Sequence, residues 1–357
     1  MQNNNKPESS KTLVHFDNFE ETVIRANTPK KETIRKRIKR KFALRKLKQI
    51  ISIVSAFAVL VSAFFIGKRG FESYLVYTQE KKEVDLIIPQ EVTKELNNMT
   101  EEEAWAYLYE KYPHLLDIVF PVGFNHEYAL YYAENPDTVG YIKIDGTKID
   151  MPVVQADNNK YYLNHDFHGK YTSYGEIYAT YIANLNPLDR NVLIYGHNMN
   201  DGSRFASLKH YKSIDYFKKH PIIEFNTLYE KHKWKIYAVI ITNGNVKGDN
   251  GYFFDFTFNQ CSDTCFEEYL VEVDKRKLYE TGVDILPTDK LITLCTCTYE
   301  FNDARLVILA RMVRDGESEE VDVSLAKKKE TPVKYPSSYY SNQSKNPYKD
   351  DPKWYLY

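Results

Sequence analysis

Cysteine is scarce. The 357-residue chain has four, in two close pairs, Cys261/Cys265 and Cys295/Cys297. Four thiols are too few for a disulfide-stapled scaffold. The CxxxC and CxC spacings are poor zinc-finger spacings, and no histidine cluster accompanies them, so neither a metal site nor a cofactor is expected. Charge bias is also missing: 48 Lys+Arg against 49 Asp+Glu leave a net charge of -1. That balance gives no pull toward nucleic acid, and no such partner is expected. No internal repeat is found.

One uncharged apolar run stands out, residues 50–67, IISIVSAFAVLVSAFFIG. Its 18 residues are near the minimum for a membrane-spanning helix. Eleven Lys/Arg and a single acid, Glu32, fall between Lys30 and Lys48. The positive-inside rule then puts residues 1–49 in the cytoplasm and everything after about 68 outside. The preceding region is too long for a cleavable signal, so an uncleaved signal anchor is expected in the cell membrane. The basic run needs no function beyond topology and attraction to anionic lipid. The expected organisation is a basic, disordered segment over 1–49, the anchor over 50–67, a linker over 68–98, a folded extracellular domain over 99–320 and a disordered Tyr/Lys/Pro-rich tail over 321–357.

Thr100 with Glu103 forms a capping box that opens a helix. From residue 139 the pattern turns to β. Residues 140–145 and 149–155 flank Gly146-Thr147, a hairpin turn. Further strands are expected at 176–182, 191–195, 222–225, 233–242, 291–296 and 305–313, with helical patterns at 203–210 and 264–279. Thirty tyrosines suit β-rich structure. The fold class is mostly β: a closed barrel with helical insertions, an N-terminal helical segment and one transmembrane helix ahead of it.

Thr293-Leu294-Cys295-Thr296-Cys297 closes an apolar strand, and Cys297 meets a polar connection at its end. His197 follows the strand 191–195, with Gly196 allowing a bend. Arg305 opens the strand after the short connection from Cys297. A thiolate that attacks a carbonyl, an imidazole that moves protons and a guanidinium that steadies an oxyanion can together perform acyl transfer. Each residue alone has a plainer reading: a buried thiol, a surface histidine among nine, or an arginine paired with Asp303 or Glu300.

TLCTC followed by a strand-initial arginine, with YGHN upstream, resembles the sortase family of Gram-positive surface transpeptidases. NHDF at 164–167, GHNM at 196–199 and CTYEFNDAR at 297–305 resemble its class B. The resemblance spans roughly residues 96 to 314. It implies that Cys297 attacks the threonine carbonyl in the C-terminal sorting signal of a secreted protein. His197 would be general acid and base, and Arg305 would hold the oxyanion or the threonine region. A peptidoglycan cross-bridge amine would resolve the thioester. The same resemblance puts Asn159, Leu163 and Tyr195 along the substrate groove, and the 264–279 helix beside it through Phe266 and Tyr269.

The chain departs from that pattern at Cys295, where class B relatives often have serine. Positions i and i+2 on a strand share a face, so Cys295 is expected beside Cys297, near substrate, and a strained disulfide between the two would inactivate the site. Cys261 and Cys265 are expected as core thiols. A pilin-polymerising sortase and a cysteine peptidase stay open as alternatives, as does a binding module that keeps the fold without turnover. A papain-type peptidase fits poorly, because its nucleophile precedes its histidine.

Overall fold

A computed structural model describes residues 31–85, 95, 96, 98–343 and 345–356. The expectations for residues 1–30, and for the linker at 86–94 and 97, lie outside the described residues. The chain divides into two compact units, Met1–Phe71 and Glu72–Tyr357.

A single helix, α1 (Lys31–Asp85), runs for 55 residues. Within it Lys39–Leu75 is long and apolar enough to cross a membrane. The basic stretch expected to be disordered is therefore helical from Lys31 onward. Lys and Arg are good helix formers, and a helix already nucleated by the apolar run extends at little cost.

Within the second unit lies α2 (Glu101–Lys111). Thr100 caps it, accepting from the Glu103 backbone N–H while Glu103 reaches back to the Thr100 N–H at 2.8 Å. A short α3 (Ala129–Glu134) follows. Leu108, Leu115, Phe124 and Tyr131 bury one cluster together with Val154 and Phe167.

The barrel is built from β1 (Thr138–Lys143), β2 (Asp150–Val154), β3 (Tyr178–Ala179) and β4 (Asn191–Tyr195), then, after α4 (Ile214–Lys219), from β5 (Ile222–Thr227) and β6 (Lys233–Asn243). Next come α5 (Asp263–Arg276), the two-residue β7 (Tyr279–Glu280), β8 (Leu291–Cys297), β9 (Ala304–Met312) and β10 (Lys327–Lys328). Around the barrel the order is β1-β2-β3-β4-β8-β9-β6-β5, closed by β5 pairing β1. Only β2/β3 and β4/β8 pair in parallel within it. Alternate side chains fill the interior, among them Ile142, Ile194, Trp234, Leu294 and Ile308. The opposite face of β4, β8, β9 and β6 is covered by α5 and the aromatic loop holding Phe254, Phe256 and Phe258.

Three elements differ from expectation. The strand at 176–182 shrinks to Tyr178–Ala179. The helix at 203–210 is a 3-10 helix, Phe205–Lys212. The helix at 264–279 stops at Arg276, and Tyr279 joins β7, which pairs β10. The tail at 321–357, expected to be disordered, is laid on the domain wherever it is described. Lys334 is buried against Glu272 and Asp351, and Trp354 packs 5.8 Å from Tyr269. Its polar composition hides a few spaced aromatics that find an apolar surface ready to receive them.

Candidate active site

Strand register brings the three expected residues to one end of the barrel. In the parallel pair β4/β8, Tyr195 lies opposite Cys295. Two residues further along, the chains reach His197 and Cys297. In the antiparallel pair β8/β9, Cys297 faces Arg305 directly. Period-2 alternation puts Cys295, Cys297, Arg305 and Val307 on one face. Cys295 and Val307 are buried there under the α5 layer, and Cys297 and Arg305 continue the face past the end of that cover.

A cleft of about 280 Å³ lies at this end. Asn159, Leu163, Tyr195, His197, Cys295, Cys297 and Arg305 all line it, together with Tyr178, Gly196 and Thr296. Phe266 and Tyr269 do not reach it; both are carried on α5 and fully buried against the strands, so that helix packs on the barrel and does not present these rings to the groove.

His197 is held from two sides. Its Nε2–H donates to the Leu163 carbonyl at 2.8 Å, since a carbonyl can only accept. In the neutral ring Nδ1 is then the acceptor. The His197 carbonyl accepts from the Phe205 N–H at 2.9 Å. The neighbouring Asn198 side chain donates to the Cys297 carbonyl at 2.9 Å, tying the histidine loop to the end of β8. Gly196 serves through space, not backbone freedom: a Cβ there would come 2.7 Å from the Phe205 ring.

All four cysteines are free thiols. Cys297 is half-buried, whereas Cys295 is fully enclosed. Burial pushes the Cys295 thiol up to about 12, against an opposing pull from Arg305. Cys265 is buried as expected, while Cys261 is partly exposed and its thiol is pushed by burial up to about 11.

Arg305 makes no ion pair among the described residues. Asp303 accepts from the Asn245 side chain at 2.6 Å, and Glu300 pairs with Lys212. The guanidinium donates to the Ala304 carbonyl at 3.1 Å. It passes so close to Gly244 that a Cβ there would lie 2.7 Å from its Cζ. Gly244 in turn donates its N–H to the Asp303 carbonyl at 2.7 Å.

The cleft walls are aromatic and polar. Tyr178 and Tyr195 stack with centroids 5.3 Å apart, and burial raises both phenols. Asn159 spends its amide on the Thr180 hydroxyl and the Tyr181 N–H, so it shapes the wall. Leu163 sits at the rim, partly exposed. Sequence reasoning did not single out Tyr178, Gly244 or the Leu163 carbonyl. Asn198 lay within the GHNM motif, but its contact with Cys297 spans 99 residues.

A thiol, an imidazole with one nitrogen available and a guanidinium paired with no carboxylate among the described residues thus share one cleft. This donor set supports acyl transfer through a thioester. Comparison with known proteins agrees. A family model described as the Sortase domain matches residues 142–313. Sortase B of Listeria monocytogenes serovar 1/2a is 34% identical over 181 residues, covering 50% of this chain and 71% of that protein. Sortase B of Staphylococcus aureus is 30% identical over 182 residues, covering 50% and 72%. A crystal structure of Clostridium perfringens sortase B shares 32% identity, covers 52% of this chain and 98% of that one, and superposes with a TM-score of 0.46. The chain belongs to the sortase family, in its class B, and is a cysteine transpeptidase.

Proposed function

We propose that this chain is a membrane-anchored sortase that cleaves the C-terminal sorting signal of secreted proteins after threonine and transfers them to a peptidoglycan cross-bridge amine. The observation that carries this reading is the single cleft lined by Cys297, His197 and Arg305. In it Cys297 Sγ, as thiolate, attacks the threonine carbonyl carbon. The oxyanion that forms is stabilised by the Arg305 guanidinium, whose charge no carboxylate neutralises among the described residues. His197 gives a proton to the departing amine, and the C–N bond breaks to leave a thioester. The incoming amine loses a proton to His197 as it attacks, and Cys297 leaves. The Leu163 carbonyl occupies Nε2–H, so this proton traffic is assigned to Nδ1.

Leu163, Tyr195 and the Tyr178 ring stacked on it form the wall along which the signal lies, with Asn159 shaping the rim and Cys295 beneath. Residues 99–320 form the catalytic domain. The anchor at 50–67, with its basic run ahead, holds that domain outside the cell.

Intact-protein mass after mixing the chain with candidate sorting-signal peptides tests the reading. An acyl adduct on Cys297, absent in Cys297→Ala and discharged by a glycine or diaminopimelate mimic, supports it. Discharge only by a lysine of a protein subunit would point to pilus assembly, and discharge only by water to a peptidase. No adduct on any peptide, with Cys297 shown to be reduced, would overturn it.

A further inference from the structure

Arg204 and Glu176 form an ion pair whose side chains are both 0 % exposed, with Arg204 Nη2 3.2 Å from Glu176 Oε2. Neither residue lines the cleft. A buried ion pair is weak evidence for stability, because desolvation offsets most of its attraction. Arg204 also holds a strained backbone, φ 53° and ψ -130°, which a side-chain-bearing residue keeps only when its surroundings impose it.

Its contacts converge on His197 from both sides. On the histidine loop, Arg204 bridges Asn198 through the main chain, and the next residue, Phe205, donates its N–H to the His197 carbonyl. On the other side, Arg204 Nε donates to the Gly175 carbonyl at 3.0 Å. Gly175 sits at φ +58° directly against the 162–163 backbone: a Cβ there would come 2.7 Å from the Leu163 oxygen. The Glu176 N–H donates to the Tyr162 carbonyl at 2.8 Å. Arg204 therefore joins the loop that carries the imidazole to the segment that carries the carbonyl fixing its Nε2–H.

We propose that Arg204 and Glu176 are positioning residues for His197. The pair sets the spacing between the imidazole and the Leu163 carbonyl, and so keeps the ring in the tautomer with Nε2 protonated and Nδ1 free to exchange protons in the cleft. The proposal rests on the acid–base role assigned to His197 above. Loss of the pair leaves the thiol, the guanidinium and the stacked Tyr178 and Tyr195 rings in place but lets the imidazole turn or change tautomer.

The test uses the full chain in detergent, with nitrogen-15 histidine NMR assigned through His197→Gln. A single substitution strands one buried charge and can unfold the protein. The deciding variant is therefore Arg204→Met/Glu176→Gln, which removes both charges at similar volume. In the unaltered chain His197 is expected to show the Nε2–H tautomer. In the folded double variant that preference is expected to be lost, with kcat for peptide transfer down roughly 10–100-fold and KM little changed. An Nδ1–H tautomer in the unaltered chain would overturn the proposal, as would full kcat in the double variant. Unfolding of the double variant would also overturn it, since the pair would then serve folding alone. Activity in His197→Ala would instead sink the acid–base reading beneath it.

Discussion

Arg305 reaches the cleft past Gly244, and the space it uses is the space a side chain at 244 would fill. A methyl group there would meet Cζ at 2.7 Å and the Asp303 carbonyl at 2.9 Å. Gly244→Ala is therefore expected to displace the guanidinium and lower kcat/KM roughly 10–100-fold. Thermal denaturation should show a much smaller loss, about 1 kcal/mol; equal losses would mean that the site was only a casualty of unfolding. The two thiols of β8 should separate by reactivity. Burial holds the Cys295 thiol protonated up to about 12, so iodoacetamide at pH 8 is expected to label Cys297 and spare Cys295 until the chain unfolds. The folded thiol keeps its proton after an unfolded one, ordinarily at 9.0, has lost it. That contribution is complete below about 9 and disappears as pH rises toward 12. Cys295→Ser should flatten that alkaline limb of a melting-temperature profile. Cys297, His197 and Arg305 are legible in the sequence because each sits at a strand end beside polar chain. Gly244 is not, because the atom it makes room for is carried on another strand 61 positions away.

The C-terminal strap is the element that composition misrepresents. Rich in Pro, Ser, Lys and Tyr, it reads as solvated chain, yet its segments lock onto different parts of the domain. The Lys334 N–H donates to the Lys275 carbonyl at the end of α5. The Ser337 N–H donates to the Asp249 carboxylate at 2.7 Å, and Tyr339 packs edge-on to Phe301 in the β8–β9 connection. Trp354 covers Phe254 and Tyr269. Trp354→Ala is expected to cost roughly 1–3 kcal/mol, since a half-buried ring loses part of a core residue's contribution. Removal of residues 332–357 should expose those rings, lower the melting temperature further and speed hydrogen exchange in the 244–252 and 298–303 loops. Unchanged exchange in both loops would show that the strap leaves the site's surroundings untouched. Strands β4, β6, β8 and β9 were legible within a residue or two because their apolar runs are long and uninterrupted. β3, β7 and β10 have two residues each, too short for any period to register.

For the molecule as a whole, the barrel separates chemistry from a charge cluster at the far end of the same strands. β9 starts beside the cleft at Ala304 and Arg305 and reaches Arg311 one residue before its end at Met312; Arg311 faces Lys235 of β6 in register. Both cations are buried, Arg311 to 1 % exposure, and like charges directly opposite on a sheet repel. Glu317 bridges them, at 2.7 Å from the arginine and 2.6 Å from the lysine, while Asp284 and Asp289 take the remaining charge of Arg311 and Arg314. The Arg311 guanidinium holds the Glu317 carboxyl well below its usual range, with Lys235 adding to the effect. A depressed carboxylate contributes stability that is present above its unfolded value, 4.5, and is lost as pH falls below it. No sequence period points to this pairing, since it depends on the register of two residues 76 positions apart in the chain, Lys235 and Arg311. Glu317→Gln should leave two buried cations facing each other and cost roughly 1–3 kcal/mol at neutral pH. It should also shrink the fall in melting temperature between pH 5 and 3, because the group whose protonation drives part of that fall is gone. Transfer kinetics at pH 7 should be unchanged, because the cluster and Cys297 occupy opposite ends of the strands. A drop in kcat that tracks the loss of stability would mean instead that strain at one end of the barrel reaches the other.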